Sequence, residues 1–382
     1  MLKTNEMNNS STLRKQNPER QLVVLLSRLT FSSKDVQLLE ELLKEKLDWY
    51  KIFQYSLKNK VLPLIWHNLK SREYAHIVPL RLGQVMNFHC LGTQHRNELY
   101  LMELKKIAKE FSKMGLKCVP LKGAQLISQM YRNLGIRTVN DMDCLVDRQD
   151  VREVRKIMND LGYVEGEYNK KTRVIEKVTR EKALLWQTSM NNLLPFLKLQ
   201  DSQYAEITQF DFSYSLDLDL LNEPVEYMLS RTRAFENDMY YLNEADFFLH
   251  QCCHHYKEAS NASWVALNSD LNLIKFCDVR EYILQFMNED HLKDAVELAK
   301  RFGLQEAVYF TLFYLKEIYN DGYEDTYLNS FTFEDVNFLY SYGKKDYGFT
   351  VEWKKDFWDR LFSDTNKDEL VENAKYANIV EF

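Results

Sequence analysis

Asp141 and Asp143, two residues apart around Met142, are the side chains of this sequence whose spacing most directly suggests chemistry. On a β-strand, alternate residues point to the same face, about 6.5–7 Å apart along it. The pair would offer two carboxylates to one side while Met142 and Cys144 pack on the other. Hard divalent cations such as Mg²⁺ take oxygen ligands and keep waters and substrate phosphates in their shell. Two such ions, about 3.5–4 Å apart, can clamp the attacking and leaving oxygens of an in-line displacement at phosphorus. Asp-x-Asp by itself is common on surface strands and turns. Its weight here comes from Lys122-Gly123 upstream, where glycine lets backbone amides approach an anion and lysine adds a point charge.

The surrounding pattern reads as the elements such a site needs. An apolar run over 116–121 predicts a strand, Lys122-Gly123 a turn, and 124–132 a helix. A polar turn leads to a second strand over 138–147, which carries both aspartates. An amphipathic helix follows and stops near Leu161-Gly162-Tyr163, with Gly162 as the terminator. Residues 165–173 read as a hairpin or excursion at the sheet edge, and 182–187 fit helix and strand equally. Strands are expected over 194–199 and 205–218. In the latter Thr208, Phe210, Phe212 and Tyr214 alternate with Gln209, Asp211, Ser213 and Ser215, so Asp211 faces away from the aromatics.

These residues resemble the polymerase-β-type nucleotidyltransferase superfamily, in particular its bacterial group of uncharacterised nucleotidyltransferases. The resemblance rests on Leu121-Lys122-Gly123, Tyr131, Arg137, Asp141-Met142-Asp143 and Gly162-Tyr163, which fall in order over about 45 residues by the motif reading. Two departures stand out. The superfamily's Gly-Ser or Gly-Gly turn is Gly123-Ala124 here, which removes a hydroxyl contact to phosphate. A later Val-Glu-x-His segment of the family is matched by Asp211 and Ser213, so the histidine is missing.

The resemblance implies Asp141, Asp143 and Asp211 as metal-holding and catalytic carboxylates. It implies Lys122, Gly123 and Ala124 as the grip on the β- and γ-phosphates, with Arg137 stabilising phosphate charge or orienting the carboxylates. Asp217 and Asp219 form a rival Asp-x-Asp, read as solvated residues at a strand end before Asn222-Glu223-Pro224. The implied activity is Mg²⁺-dependent (or Mn²⁺-dependent) transfer of a nucleoside monophosphate to a hydroxyl acceptor, a small molecule, peptide or protein, with pyrophosphate released. ATP is the first nucleoside triphosphate to consider. A nucleotide-binding scaffold without turnover and a kinase-like phosphotransferase are the alternatives.

The rest of the chain supplies the frame. Its 382 residues allow about two or three domains, and 45% hydrophobic with 28% charged residues is ordinary for a globular protein. A net charge of −6 argues against a broad nucleic-acid surface. With only 11 glycines and 6 prolines, the chain should be rich in helix. The expected fold is α+β: a small mixed-sheet nucleotidyltransferase core over 116–222, flanked by helical regions at 21–115 and 223–382, after a disordered lead-in over 1–20.

Within the first helical region, Ser32 or Ser33 should cap a helix, Asp48-Trp49 should open the next, and 82–114 should form one long helix. Its histidines, His67, His76, His89 and His95, read as surface or helix-face residues. In the second, helices are expected over 244–256, 270–284, 292–302 and 305–318. His250 and His254 share a helix face beside Cys252 and Cys253, a zinc pattern without its second thiol pair. Asp278 is a candidate lining residue of an acceptor pocket. Trp353, Phe357, Trp358 and Phe362 have the spacing of a helix packed on a core. The six cysteines read as reduced, buried thiols. No segment has the length and composition of a membrane span or signal peptide. Composition thus implies an intracellular protein, and the resemblance a bacterial, cytoplasmic one.

Overall fold

A computed structural model describes residues 13, 16–216, 221–344 and 348–370. Asp217, Asp219, Tyr347 and most of the lead-in lie outside the described residues. The fold is α+β, with helices on both sides in sequence of a six-stranded mixed sheet.

The first helix starts inside the lead-in. Asn17 caps α1 (Pro18–Leu26), accepting from the Arg20 amide, and proline occupies a first-turn position where its missing N–H costs nothing. Helix α2 (Ser33–Leu42) begins with a capping box between Ser32 and Asp35, which settles the choice of cap. Asp48 caps α3 (Trp49–Lys58) through the amides of Tyr50 and Lys51. The chain then breaks at Asn59–Lys60, and Pro63 sits in the first turn of α4 (Leu62–Ser71). Helix α5 (Leu80–Lys113) runs from the helical region into the sheet.

Strand β1 (Val119–Pro120) is followed by α6 (Lys122–Gln129) and β2 (Met142–Leu145). Next come α7 (Val151–Asp160) and the hairpin of β3 (Val164–Asn169) with β4 (Val174–Lys177). The ambiguous 182–187 stretch is helical, α8 (Arg180–Ser189), because Thr179 caps its first turn. Strands β5 (Phe196–Leu199) and β6 (Ile207–Ser213) complete the sheet in the order β1-β2-β6-β5-β3-β4. Only β2 and β6 among the neighbours are parallel. Gly162, at φ 83°, ends the turn after α7, where a side chain would be strained.

Past the sheet, α9 (Glu223–Ser230) leads through a two-stranded ribbon, β7 (Arg233–Ala234) and β8 (Tyr240–Tyr241), into α10 (Glu244–Ser260). Helices α11 (Ala262–Ala266), α12 (Leu273–Phe286), α13 (Glu289–Phe302) and α14 (Gln305–Ile318) follow. The aromatic stretch near the C-terminus is not one helix. Asp356 caps a short helix over Phe357–Phe362, while Trp353 precedes it and stacks on Tyr342 at 4.3 Å between ring centroids.

Two cores result. One lies against the sheet, where Phe210 and Phe212 of β6 meet Phe111, Tyr163 and Phe196. The other joins the helices that precede the sheet to those that follow it: Leu22, Ile52 and Leu64 share a cluster with Phe247, Phe276 and Leu361. The helical regions, far apart in sequence, therefore form one body by burying their apolar faces on each other.

Candidate active site

Burial on one face of the sheet dictates what the other face displays. Because Phe210 and Phe212 point into the core, Asp211 between them points out of it, and because Met142 and Cys144 do the same on β2, Asp143 follows suit. Parallel pairing then sets Asp143 directly beside Asp211. Asp141, at the entrance to β2, stands on the same side. One ligand oxygen from each of Asp141, Asp143 and Asp211 lies within 4.8 Å of the others. Sequence placed these three on two separate strands, and the structure brings them together.

The loop that presents Asp141 is pinned by α5. Buried Asn97 donates to the carbonyls of Leu134 and Arg137, both at 2.7 Å, and the Tyr100 hydroxyl donates to the Asn140 carbonyl at 2.6 Å. Tyr100 also accepts from the Gln209 amide of β6, so one side chain ties both acidic segments together. The roots of the site are thus fixed from behind by a long helix whose polar residues had no visible role in the sequence.

The Asp143 and Asp211 residues are each only 8% exposed. Burial pushes the Asp141 carboxyl above its ordinary value, the Asp143 charge adds to that, and Lys122 and Lys60 oppose it. Asp211 is pushed well above its usual range by burial and then by Asp141 and Asp143. Its Oδ2 accepts from Gln209 at 3.1 Å, while its Oδ1 is buried with no hydrogen-bond partner. A hard cation would suit such a set. Three carboxylates in reach of one point, with an orphaned buried oxygen and mutual repulsion, match the oxygen donor sets of Mg²⁺ or Mn²⁺.

Lys122 opens α6 beside them, and its Nζ donates to Asp143 Oδ1 at 2.8 Å. The Asp143 charge leads Glu258 and Asp141 in outweighing burial, so the Lys122 ammonium is held above its ordinary value. Lys122 adopts φ 46°, a left-handed conformation costing a side-chain-bearing residue about 1–2 kcal/mol. Gly123 next to it is closely packed: a Cβ there would meet Val139 Cγ2 at 3.1 Å, tight enough to displace that methyl slightly, and the Arg137 guanidinium at 3.6 Å. The Gly123 amide, in the first turn of α6, has no intrahelical acceptor. Ala124 differs from the expectation for it. Its amide donates to the Leu121 carbonyl at 3.0 Å and its side chain is buried in the core, because α6 turns away from the cleft at once.

Arg137 is likewise placed otherwise than expected. Its Nε reaches both oxygens of Asp278, at 3.2 and 3.1 Å, and its Nη2 donates to Oδ2 at 2.7 Å. The Tyr131 hydroxyl adds a 2.6 Å bond to the same carboxylate. This fork satisfies Asp278 in the wall of the cleft, which Arg137 also lines, and the guanidinium is bonded to Asp278 rather than to Asp141 or Asp143.

In front of the sheet lies a cleft of about 230 Å³, bounded by Lys122, Gly123, Asp141 and Asp143 on one side. The opposite wall comes from α10, α11 and α12 and includes His254, Glu258, Trp264 and Lys275. Glu258 pairs with Lys275 and receives His254 Nε2 at 3.2 Å. Burial raises the Glu258 carboxyl, but Lys275 and then Lys122 outweigh it and hold it below its usual range. Glu258, Lys275 and Trp264 were missed in the sequence, where nothing but helical periodicity marks them.

His250, His254 and His255 belong to no group of three or more metal-ligating side chains among the described residues. Burial pushes His250 down to about 3 and His254 and His255 well below their ordinary value, which keeps them neutral. Cys252 and Cys253 point into the helical core. Among the described residues, the acidic triad is the one cluster of three or more ligand side chains with metal-binding spacing.

No curated protein and no solved structure matches this chain. A family match extends over residues 45–320, well over half of the sequence, and takes in the acidic triad, the Lys122-Gly123 turn and both walls of the cleft. The chain belongs to the family of uncharacterised nucleotidyltransferases.

Proposed function

We propose that the protein transfers a nucleoside monophosphate from a nucleoside triphosphate to an acceptor hydroxyl, releasing pyrophosphate. The observation that carries this reading is the convergence of Asp141, Asp143 and Asp211 within 4.8 Å beside the Lys122-Gly123 turn. Asp141, Asp143 and Asp211 would hold Mg²⁺, or Mn²⁺, as oxygen ligands. The ion supplies neutralisation of phosphate charge and a template for in-line displacement.

The protein's own groups do the rest. Lys122 exchanges part of its contact with Asp143 for the triphosphate, and the Gly123 amide approaches the same anion. Asp211, at the back of the site, takes the proton of the acceptor hydroxyl. The acceptor oxygen bonds to the α-phosphorus as the bond to the bridging oxygen breaks, and that electron pair leaves with pyrophosphate. Most of the acceleration comes from positioning and charge complementarity. Arg137 and Asp278 act as a fixed wall. A bacterial, polymerase-β-type enzyme working in the cytoplasm on ATP belongs to the same reading, supported by the ordered motif and by six cysteines that form no disulfide. The acceptor is a small molecule, a peptide or a protein.

The test is pyrophosphate release from each of the four nucleoside triphosphates with Mg²⁺, with and without cell extract. Release that rises with extract and disappears in the Asp141→Asn, Asp143→Asn double variant supports nucleotidyl transfer. Free phosphate with a nucleoside diphosphate product would replace it with phosphotransfer or hydrolysis. Nucleotide binding without any product would leave a scaffold.

A further inference from the structure

Four cations face the cleft: Lys60, Lys122, Arg137 and Lys275. Three already have a carboxylate, Lys122 on Asp143, Arg137 on Asp278 and Lys275 on Glu258. The Lys60 ammonium makes no hydrogen bond or ion pair with any described residue, although it is near enough to Asp141 to favour that carboxylate's charged form. It comes from the turn that closes α3, in the N-terminal helical region.

Its backbone shows how firmly the position is set. The Lys60 amide donates to the Leu57 carbonyl and the Val61 amide to that of Ser56, the paired bonds of a Schellman turn closing α3. Lys60 takes the left-handed position of that turn, φ 57°, where glycine is the favoured residue. Its neighbour Asn59 is fully buried. Asn59 Oδ1 accepts from the Leu273 amide at 2.9 Å and its carbonyl from the Ile274 amide at 3.3 Å, so it satisfies the first amides of α12. Lys58 Nζ is bound to the carbonyls of Arg360 and Leu361. The turn is therefore anchored to the same helix that supplies Lys275, and Lys60 projects from an immobile base.

We infer that Lys60 is the clamp for the β- and γ-phosphates of the substrate, holding the pyrophosphate portion from the side of the cleft opposite the Lys122-Gly123 turn. The proposal rests on the nucleotidyltransferase reading and adds a residue to it. A cation without a partner, fixed at the mouth of a cleft whose other cations are neutralised, is the one available to a polyanion at no cost in broken ion pairs. Charge that builds on the leaving pyrophosphate falls on the oxygens it holds.

The experiment measures binding of inorganic tripolyphosphate, a nucleoside triphosphate and the matching monophosphate, each with Mg²⁺, by calorimetry. The wild type is compared with Lys60→Gly and Lys60→Arg. Glycine removes the ammonium and relieves the left-handed backbone, so the melting temperature should hold or rise and misfolding cannot account for a loss. Tripolyphosphate and triphosphate affinity should fall about 10- to 100-fold, the loss of one charge-assisted contact, while monophosphate affinity stays and arginine retains most of the binding. Unchanged tripolyphosphate affinity in Lys60→Gly would overturn the clamp alone, as would an equal loss for the monophosphate. No binding of nucleotide or tripolyphosphate by the wild type would overturn the nucleotidyltransferase reading as well.

Discussion

The two walls of the cleft follow opposite electrostatic plans. On the helical wall the buried cations are paired: Arg137 with Asp278, which also accepts from Tyr131, and Lys275 with Glu258, which also meets His254. On the sheet wall three carboxylates share a single bonded lysine, and one buried oxygen of Asp211 has no partner at all. Buried charge is tolerated only when compensated. The balanced wall has the character of a frame, and the unbalanced wall carries the excess negative charge that a bound cation would compensate. Lys60, facing the cleft from the side of α12, departs from that balance, since its ammonium makes no hydrogen bond or ion pair with any described residue.

Substitutions on the two walls should consequently fail in different ways. Replacing Asp143 with asparagine should reduce pyrophosphate release by about 1,000-fold or more, the scale at which losing a main electrostatic group acts, with an unchanged circular dichroism spectrum. Turnover within tenfold of wild type would remove Asp143 from the chemistry. On the helical wall, Asp278→Ala should instead destabilise the fold by about 3–5 kcal/mol, because it strands the Arg137 guanidinium in a dry environment. Urea denaturation measures this, and a double variant, Arg137→Met with Asp278→Leu, should recover most of the loss. If Asp278→Ala were stable and inactive, that wall would be part of the machinery rather than the frame.

A smaller effect, of opposite sign, is expected at Asp211. Removing an uncompensated buried charge by Asp211→Asn should stabilise the metal-free protein by about 1–2 kcal/mol at pH 8, near the cost of an unsatisfied buried group, while abolishing turnover. The pH dependence follows from the raised folded-state values of Asp141 and Asp211. Below the ordinary carboxylate range they are protonated whether folded or unfolded. As pH rises past the unfolded values toward the raised ones, the unfolded chain ionises first, and stability falls. Mg²⁺ offsets that loss, so the rise in melting temperature it produces should be larger at pH 8 than at pH 5. Equal rises at both would show that the cation binds elsewhere.

Much of the fold was legible because local rules and packing agree. Asp48 and Ser32 cap helices where the sequence has them, and helix α5 spans nearly the predicted 82–114. Legibility failed where one residue overrides a pattern. Thr179 turned an ambiguous stretch into α8, and Asp356 started a helix only after Trp353, which stacks on Tyr342 instead. For the site, the role assigned to Ala124 presumed that a residue near the motif faces the cleft, and the partner of Arg137 was not visible in the sequence. Arg137 forks onto Asp278, 141 positions away, and α6 carries Ala124 into the core.

By itself the sequence determined what depends on neighbours along the chain. The two-residue period of a strand places Asp141 and Asp143 on one side and Asp211 opposite its flanking phenylalanines, whatever the strands later pair with. Tertiary structure alone decided the rest. The parallel register of β2 with β6 puts Asp143 beside Asp211 rather than one position along, and a one-residue slip would bury the carboxylates in the core. The Asn59 anchor brings Lys60 across from another region to face them. Those are contacts between segments far apart in sequence, and they are set by which apolar faces bury together, a choice that no short stretch of the chain contains.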